Sequence, residues 1–415
     1  MFERKALTDS KSSWLLFVVI FLLWAILFMS KNCFSTAMAA IVSEGFMTKS
    51  QTSIITAAFW LVYAPGQVIG GIFADRRPPQ ALILIAIFGA SVINLGIYLF
   101  YKSYAFMLIV WCLNAALQFA AWPSVFKIVS TQLKKENRTN CVFILSLSTI
   151  VGLMFGYILS GIVPRWQDNF LVSSIALFAI GLLFLIVYSS LLKKMKPEKF
   201  EMKQQGDHHA KHEPLGSLLK RSGIIPICIG AFFCNVMVNG PKSLAPTMLV
   251  ECYESMTVSM ANILNAFIIA SGVLNIVIGK IIYPKFLKNE TLIVAITMTA
   301  AAPFFIINIG ISRIPLLPII CSLIFGLLFV NTAYTFITSH IPARFNVYGM
   351  GGMIAGLING VAALSNVFSS YVFAAIADDW GWRVTTVTWV IVTVLGCVVF
   401  WAAVRQWKKF TSNND

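Results

Sequence analysis

Two lysines stand where lysine is costly. Lys31 lies near the middle of Trp14–Ser43, WLLFVVIFLLWAILFMSKNCFSTAMAAIVS, and is the only charged residue in that run. A helix of this length extends about 45 Å, enough to cross a hydrocarbon core of about 30 Å. A lysine at mid-depth costs roughly 2.5–3.5 kcal/mol on insertion scales, a cost usually tied to function. Lys31 is therefore expected to face a watery cavity and meet a negative ligand or partner. The competing reading is a lysine hydrogen-bonded to carbonyls of neighbouring helices. Lys242 sits in a later apolar run with Asn235 and Asn239 at i, i+4, i+7 spacing, one face of a helix. Gly240-Pro241 interrupts that stripe, and proline frees a carbonyl and kinks a helix. A polar stripe beside a break suits a binding cavity; it also suits a hydrogen-bonded seam between helices.

Further polar side chains fall inside apolar runs: Asn114, Gln118 and Trp122 at i, i+4, i+8; Ser148 and Thr149; Asn331, Tyr334 and Thr338; Asn359 and Asn366. Each can hydrogen-bond or stack on a ligand, or serve as glue between helices. No Asp or Glu falls in the middle third of any apolar run, whereas proton-coupled drug pumps usually need a buried carboxylate. There is no Walker A run, GxGxxG fingerprint or credible Ser-His-Asp grouping, and the eight cysteines show no CxxC or CxxH spacing. His208, His209 and His212 beside Asp207 read as a solvated loop before a metal site. No enzyme, metal or cofactor is expected.

The elements that must position these residues are membrane spans. The chain has 415 residues, 58% hydrophobic and 11% charged, against about 25% charged in soluble proteins. Apolar runs lie near 13–42, 50–74, 80–101, 104–130, 139–163 and 169–192, then 222–250, 256–283, 289–311, 315–340, 347–376 and 383–406. The expected fold is an all-α membrane protein of twelve transmembrane helices in two pseudo-symmetric six-helix bundles. Residues 1–192 form the first half, 193–221 a basic linker and 222–415 the second half. With the N-terminus inside, 24 of the 31 Lys and Arg residues fall on the cytoplasmic side and five outside. This positive-inside bias puts both termini and the linker in the cytoplasm. It explains the net charge of +15 as topology and removes nucleic acid as a partner. The halves look like weak repeats. Each opens on a span with one lysine and a terminal acid, Lys31 with Glu44 and Lys242 with Glu251. Each has a glycine-rich fifth span, 152–161 and 349–370. Parallel repeats of this kind place a substrate at their interface near the midplane.

The most specific motif is YAPGQVIGGIFADRRPP, residues 63–79. Here the chain resembles the major facilitator superfamily, whose loop between helices 2 and 3 carries a Gly-x-x-x-Asp-Arg core, matched by Gly71, Asp75 and Arg76. The family usually continues with Gly-Arg-Lys, where this chain has Pro78, Pro79 and Gln80. The resemblance implies that Asp75 latches the inner ends of the halves. The corresponding loop of the second half, GKIIYPKF at 279–286, has Tyr283 in place of the acid, so the latch is expected on one side only.

More narrowly, MSKNCFSTAMAA, YAPGQVIGGIFADR, LQFAAWPSVFK and the stretch from Ala355 to Trp382 resemble the organophosphate:phosphate antiporters and their organic-anion relatives. The phosphate exchangers use an arginine from helix 1 and one from helix 7. Those positions here are Ser30 and Val238, with Lys31 adjacent to the first and Lys242 about a turn beyond the second. The resemblance thus implies an anion site built on two lysines. Lysine is a compact point charge, whereas arginine grips phosphate bidentately, so carboxylate-type or other organic anions are expected over phosphate. The expected function is secondary active transport of a small organic anion by alternating access, as an antiporter, by a monomer in the plasma membrane lipid bilayer. The alternatives are an anion sensor on the same scaffold and a proton-coupled efflux transporter. Short flanks beyond the first and last spans favour transport over sensing.

Overall fold

A computed structural model of the chain describes residues 5–197, 215–275, 289–348 and 350–412. The linker residues 198–214, with His208, His209 and His212, lie outside the described residues, as does the 279–286 segment with Tyr283. The chain divides into two compact units: Met1–Phe46 with Ile54–Gln204, and Met47–Ser53 with Gln205–Asp415.

Unit 1 is built from α1 (Ser10–Lys31), α2 (Cys33–Ser43), α3 (Lys49–Arg76), α4 (Pro79–Phe100), α5 (Tyr104–Gln118), α6 (Ala121–Thr131), α7 (Lys135–Leu145), α8 (Leu147–Ile162) and α9 (Asp168–Leu192). Asp9 caps α1 by accepting from the amides of Lys11 and Ser12, satisfying donors that a helix start leaves open. The expected continuous first span is broken at Asn32 (φ −103°, ψ 8°). There Asn32 Nδ2 donates to the Phe28 carbonyl at 2.7 Å. The Asn32 amide has turned to Met29 and Ser30 instead, so a side chain takes the carbonyl the backbone leaves. The fourth expected span breaks at Phe119 and Ala120, where Pro123 lacks the amide that would serve the Phe119 carbonyl four residues back. Two short strands, β1 (Lys5–Ala6) and β2 (Lys196–Pro197), pair antiparallel, a small addition to the all-α expectation.

The core of unit 1 gathers Leu16, Ile20, Leu23 and Leu27 of α1, Ile83 and Ile87 of α4, Val125 and Ile128 of α6, and Leu177 and Phe184 of α9. Helices α1 and α8 approach closely at Gly152, where an added Cβ would stand 2.3 Å from the Ala25 carbonyl oxygen. Small residues permit such contact between membrane helices.

Unit 2 contains α10 (Leu215–Ser222), α11 (Ile224–Cys252), α12 (Val258–Ala270), α13 (Glu290–Ile307), α14 (Leu316–Thr335), a π-turn at Phe336–His340, and α15 (Gly351–Ser412). α15 is 62 residues long and breaks at Gly381 (φ 77°), a left-handed conformation that glycine adopts without strain. Residues 49–53, the start of α3, belong to this unit; the Lys49 ammonium lies 2.9 Å from Glu251 and 3.2 Å from Asp378, and Trp382 Nε1 donates to Glu251 at 2.6 Å.

The long helices are apolar on all sides. α4 buries Ile83 and Ile87 yet exposes Ile85, Val92 and Leu99. Helices hydrophobic all round belong to membranes or large cores. Among the described residues, eight helices are long and apolar enough to span a bilayer, and a bent pair around residue 145 makes a ninth. The chain is a multi-pass, all-helical membrane protein.

Candidate functional site

In unit 1 the site forms around Lys31, the last residue of α1. It is only 3% exposed. Its Nζ lies 4.5 Å from the centroid of Trp24, 4.9 Å from Phe28 and 4.8 Å from Tyr63, and it donates to the Tyr63 hydroxyl at 3.5 Å. Trp24 and Phe28 precede Lys31 by seven and three residues, so their side chains share its helix face; Tyr63 comes from α3. No carboxylate pairs with Lys31 among the described residues. Ring faces carry negative potential. A desolvated cation on such a face gains about 2 kcal/mol, which offsets part of the burial cost.

Trp24 extends the site. Its Nε1 donates to Thr149 Oγ1 of α8 at 3.1 Å, and its ring stands 4.6 Å from that of Trp122 on α6. Lys31, Trp122 and Thr149, all singled out in the sequence, thus meet through Trp24, which was not. Gln118 and Asn114 are fully buried, and Gln118 Nε2 donates to Asn114 Oδ1 at 2.7 Å. Asn114 Nδ2 and Gln118 Oε1 have no partner among the described residues. The helix break after Gln118 places Trp122 on a separate helix from that pair, so the expected three-residue stripe is not continuous. Asn94, also missed, is fully buried; its Nδ2 donates to the Ala90 carbonyl at 2.7 Å and reaches Ser30 Oγ, next to Lys31, at 3.5 Å.

In unit 2, Asn235 and Asn239 of α11 both donate to Asn366 Oδ1 of α15, and Asn235 also donates to the Ala362 carbonyl at 2.7 Å. The polar stripe therefore works as a hydrogen-bonded seam between α11 and α15, with Asn239 half-buried at its end. Lys242 is half-buried. Pro246 lacks the amide that would serve the Lys242 carbonyl four residues back, and Asn265 Nδ2 of α12 supplies the missing donor at 2.8 Å. Asn331 and Tyr334 are half-buried on α14, and Asn331 Nδ2 bonds its own helix at Leu327 O, 2.7 Å. Asn359 is exposed near the start of α15 and joins none of these groups.

The Gly-x-x-x-Asp-Arg motif lies on the last turns of α3, and only Arg77 and Pro78 separate α3 from α4. Arg76 is exposed; the side chains of Gly71 and Asp75 lie outside the described residues. Among the described residues, no group of three or more His, Cys, Asp or Glu is arranged to hold a metal.

A multi-pass helical bundle with a buried, aromatic-caged cation is the frame of a membrane transporter. The Major Facilitator Superfamily model matches residues 20–344, and the chain belongs to that family. Similar curated proteins are the Membrane sensor protein UhpC of Salmonella typhimurium, 23% identical over 29% of this chain and 27% of that protein, and the "Probable hexose phosphate transport protein" of Chlamydia pneumoniae, 20% over 48% and 44%. A third is the Glucose-6-phosphate exchanger SLC37A2 of Mus musculus, 30% over 34% and 30%. The chain thus matches less than half the length of each. Among solved structures, a bacterial homolog of the human lysosomal transporter Spinster superposes with a TM-score of 0.75, at 15% identity, covering 97% of this chain and 98% of that one. A D-xylose-proton symporter gives 0.69 at 14% identity, covering 96% and 98%. At these identities the structures establish the fold.

Proposed function

We propose that this chain is a secondary active transporter that exchanges small organic anions by alternating access. The observation that carries the reading is Lys31: a cation buried in a membrane helix, faced by rings and with no carboxylate partner among the described residues. A charge held this way is available to an anion. In the proposed site Lys31 and Lys242 come from pseudo-equivalent helices of the two halves. Gln118, Trp122, Asn235, Asn239, Asn331, Tyr334 and Asn359 supply polar and stacking contacts, and Gly71, Asp75 and Arg76 form a conformational latch. Relatives named as a probable hexose phosphate transport protein and a glucose-6-phosphate exchanger support an anionic cargo. Lysines where arginines grip phosphate favour carboxylates.

The wider reading is a monomer of twelve helices in the plasma membrane, with halves 1–192 and 222–415, residues 193–221 and both termini in the cytoplasm, and neither cofactor nor catalysis. The 24-to-5 bias of Lys and Arg supports the orientation. A sensor is the second reading, because UhpC is named a membrane sensor protein.

Purified protein in liposomes, preloaded with each of a panel of carboxylates or with phosphate, tests the assignment. Counterflow of a radiolabelled carboxylate is expected. Saturable binding without flux would favour the sensor, and phosphate exchange alone would reject the substrate class. A cysteine placed at Lys203 should resist impermeant label from outside intact cells; labelling there would overturn the orientation.

A further inference from the structure

Among the described residues, the end of unit 2 where α11 begins and α15 finishes carries a charge imbalance. Lys220, Arg405, Lys408 and Lys409 are all exposed there. The described acids of unit 2 are Glu251, Glu254, Glu290, Asp378 and Asp379. Glu251 lies at the far end of α11, about 40 Å away at 1.5 Å per residue, with Glu254 just beyond it and Asp378 beside it through Lys49. Glu290 is fully buried and occupied by Arg344 Nε at 2.7 Å and Trp407 Nε1 at 2.9 Å. No carboxylate pairs with the four exposed cations among the described residues.

The surface is built. Gly223 (φ 70°) ends α10 and starts α11, and a Cβ there would stand 2.9 Å from Gln406. Gln406 Nε2 donates to the Lys220 carbonyl at 2.6 Å. Arg221 donates to the Tyr348 hydroxyl at 2.9 Å and lies over the Phe410 ring. These contacts fix α10 against the last turns of α15, so Lys220 shares a surface with the cations of α15. Exposed Ile225 and Trp401 follow within about a turn on either helix. The cations therefore stand directly beside exposed apolar surface.

We propose that this basic shelf binds anionic phospholipid headgroups. A positive-inside signal needs cations only on one side of the membrane; a helix pinned so that four charges share one surface matches a headgroup layer. Clusters of four or more Lys and Arg beside a span attract anionic lipid. The inference is independent of the transported substrate.

The test uses the full-length protein in neutral detergent, titrated with phosphatidylglycerol or with phosphatidylcholine of the same acyl chains. Thermal melting and native mass spectrometry are the readouts. Phosphatidylglycerol should raise the melting temperature and remain bound, and phosphatidylcholine should not. The triple variant K220Q/K408Q/K409Q should weaken phosphatidylglycerol binding about fivefold per lysine removed, while K220R/K408R/K409R retains it. Equal melting of the variants in phosphatidylcholine verifies folding; if the triple fails that check, the three single Gln variants carry the same comparison. Wild-type behaviour of the Gln variants, or equal binding of both lipids, would overturn the proposal. Inorganic phosphate at millimolar concentration reproducing the shift would also overturn it, by assigning the shelf to a soluble anion.

Discussion

The Lys31 ammonium lies 4.5 Å from the Trp24 ring centroid, two helical turns away on the same face of α1. Trp24 in turn reaches Thr149 through Nε1 and Trp122 through its ring. One side chain thus links the buried cation to two other helices of unit 1. Trp24→Leu removes the ring face and the indole donor together, and should cost about 2–4 kcal/mol of stability. Trp24→Phe keeps a ring over the ammonium and should cost less than half as much. Thermal melts of both variants in detergent check this; equal losses would mean that the ring face does not matter.

Glu290 is fully buried, and both its oxygens are taken, by Arg344 and Trp407. Removing one partner of a buried pair costs about 3–5 kcal/mol, less where the other stays partly wet. The Arg344 side chain is 28% exposed, so Glu290→Gln should cost about 2–4 kcal/mol. Adding Arg344→Met should recover part of the loss, measured as melting temperature. A double variant no more stable than the single one would contradict a pairwise link.

Asn265 serves the Lys242 carbonyl that Pro246 leaves without an amide. Asn265→Leu keeps the volume and strands that carbonyl, at a cost of about 1–3 kcal/mol, and should weaken anion binding through the backbone of Lys242. Pro246→Ala restores a backbone donor, so Asn265→Leu should be milder on that background. A double-mutant cycle with no coupling would refute the substitution of one donor by another.

Much of the site was legible because a charge or an amide inside an apolar run is conspicuous: Lys31, Lys242, Asn235, Asn239 and Gln118 all announce themselves. Trp24 and Phe28 were legible in principle, at seven and three residues before Lys31. Tyr63 was not, because it arrives from another helix, and pairing between helices leaves no trace in local spacing. Pro246 is visible in the sequence, but its compensating Asn265 is a tertiary contact. The break at Asn32 escaped notice because an apolar run reads the same whether its helix continues or bends, and no proline marks it; the break after Gln118 was legible in principle from Pro123, which lacks the amide that would serve the Phe119 carbonyl four residues back. Asn235 and Asn239 formed the expected stripe, yet its use as a seam depends on Asn366, more than a hundred residues on.

Asp75 lies in the last turn of α3, within the family motif. If it acts on the conformational equilibrium, Asp75→Asn should slow turnover severalfold and change substrate affinity less, since an equilibrium shifts only by differential stabilisation of its states. Uptake rates in liposomes together with equilibrium binding separate the two. Unchanged turnover with a large loss of affinity would contradict the latch.

In the proposed site Lys31 is the anion's charge partner, seconded by Lys242. Losing one partner of a buried charge contact costs roughly 2–5 kcal/mol, about thirtyfold or more in affinity. The direct measurement is radiolabelled anion binding and uptake for Lys31→Gln, Lys242→Gln and the double variant, each matched for folded protein by size-exclusion chromatography. High-affinity uptake should be abolished in Lys31→Gln and reduced less in Lys242→Gln, with all three variants still inserted and folded. Normal transport by both single variants would show that the lysines are structural and that the anion is held elsewhere.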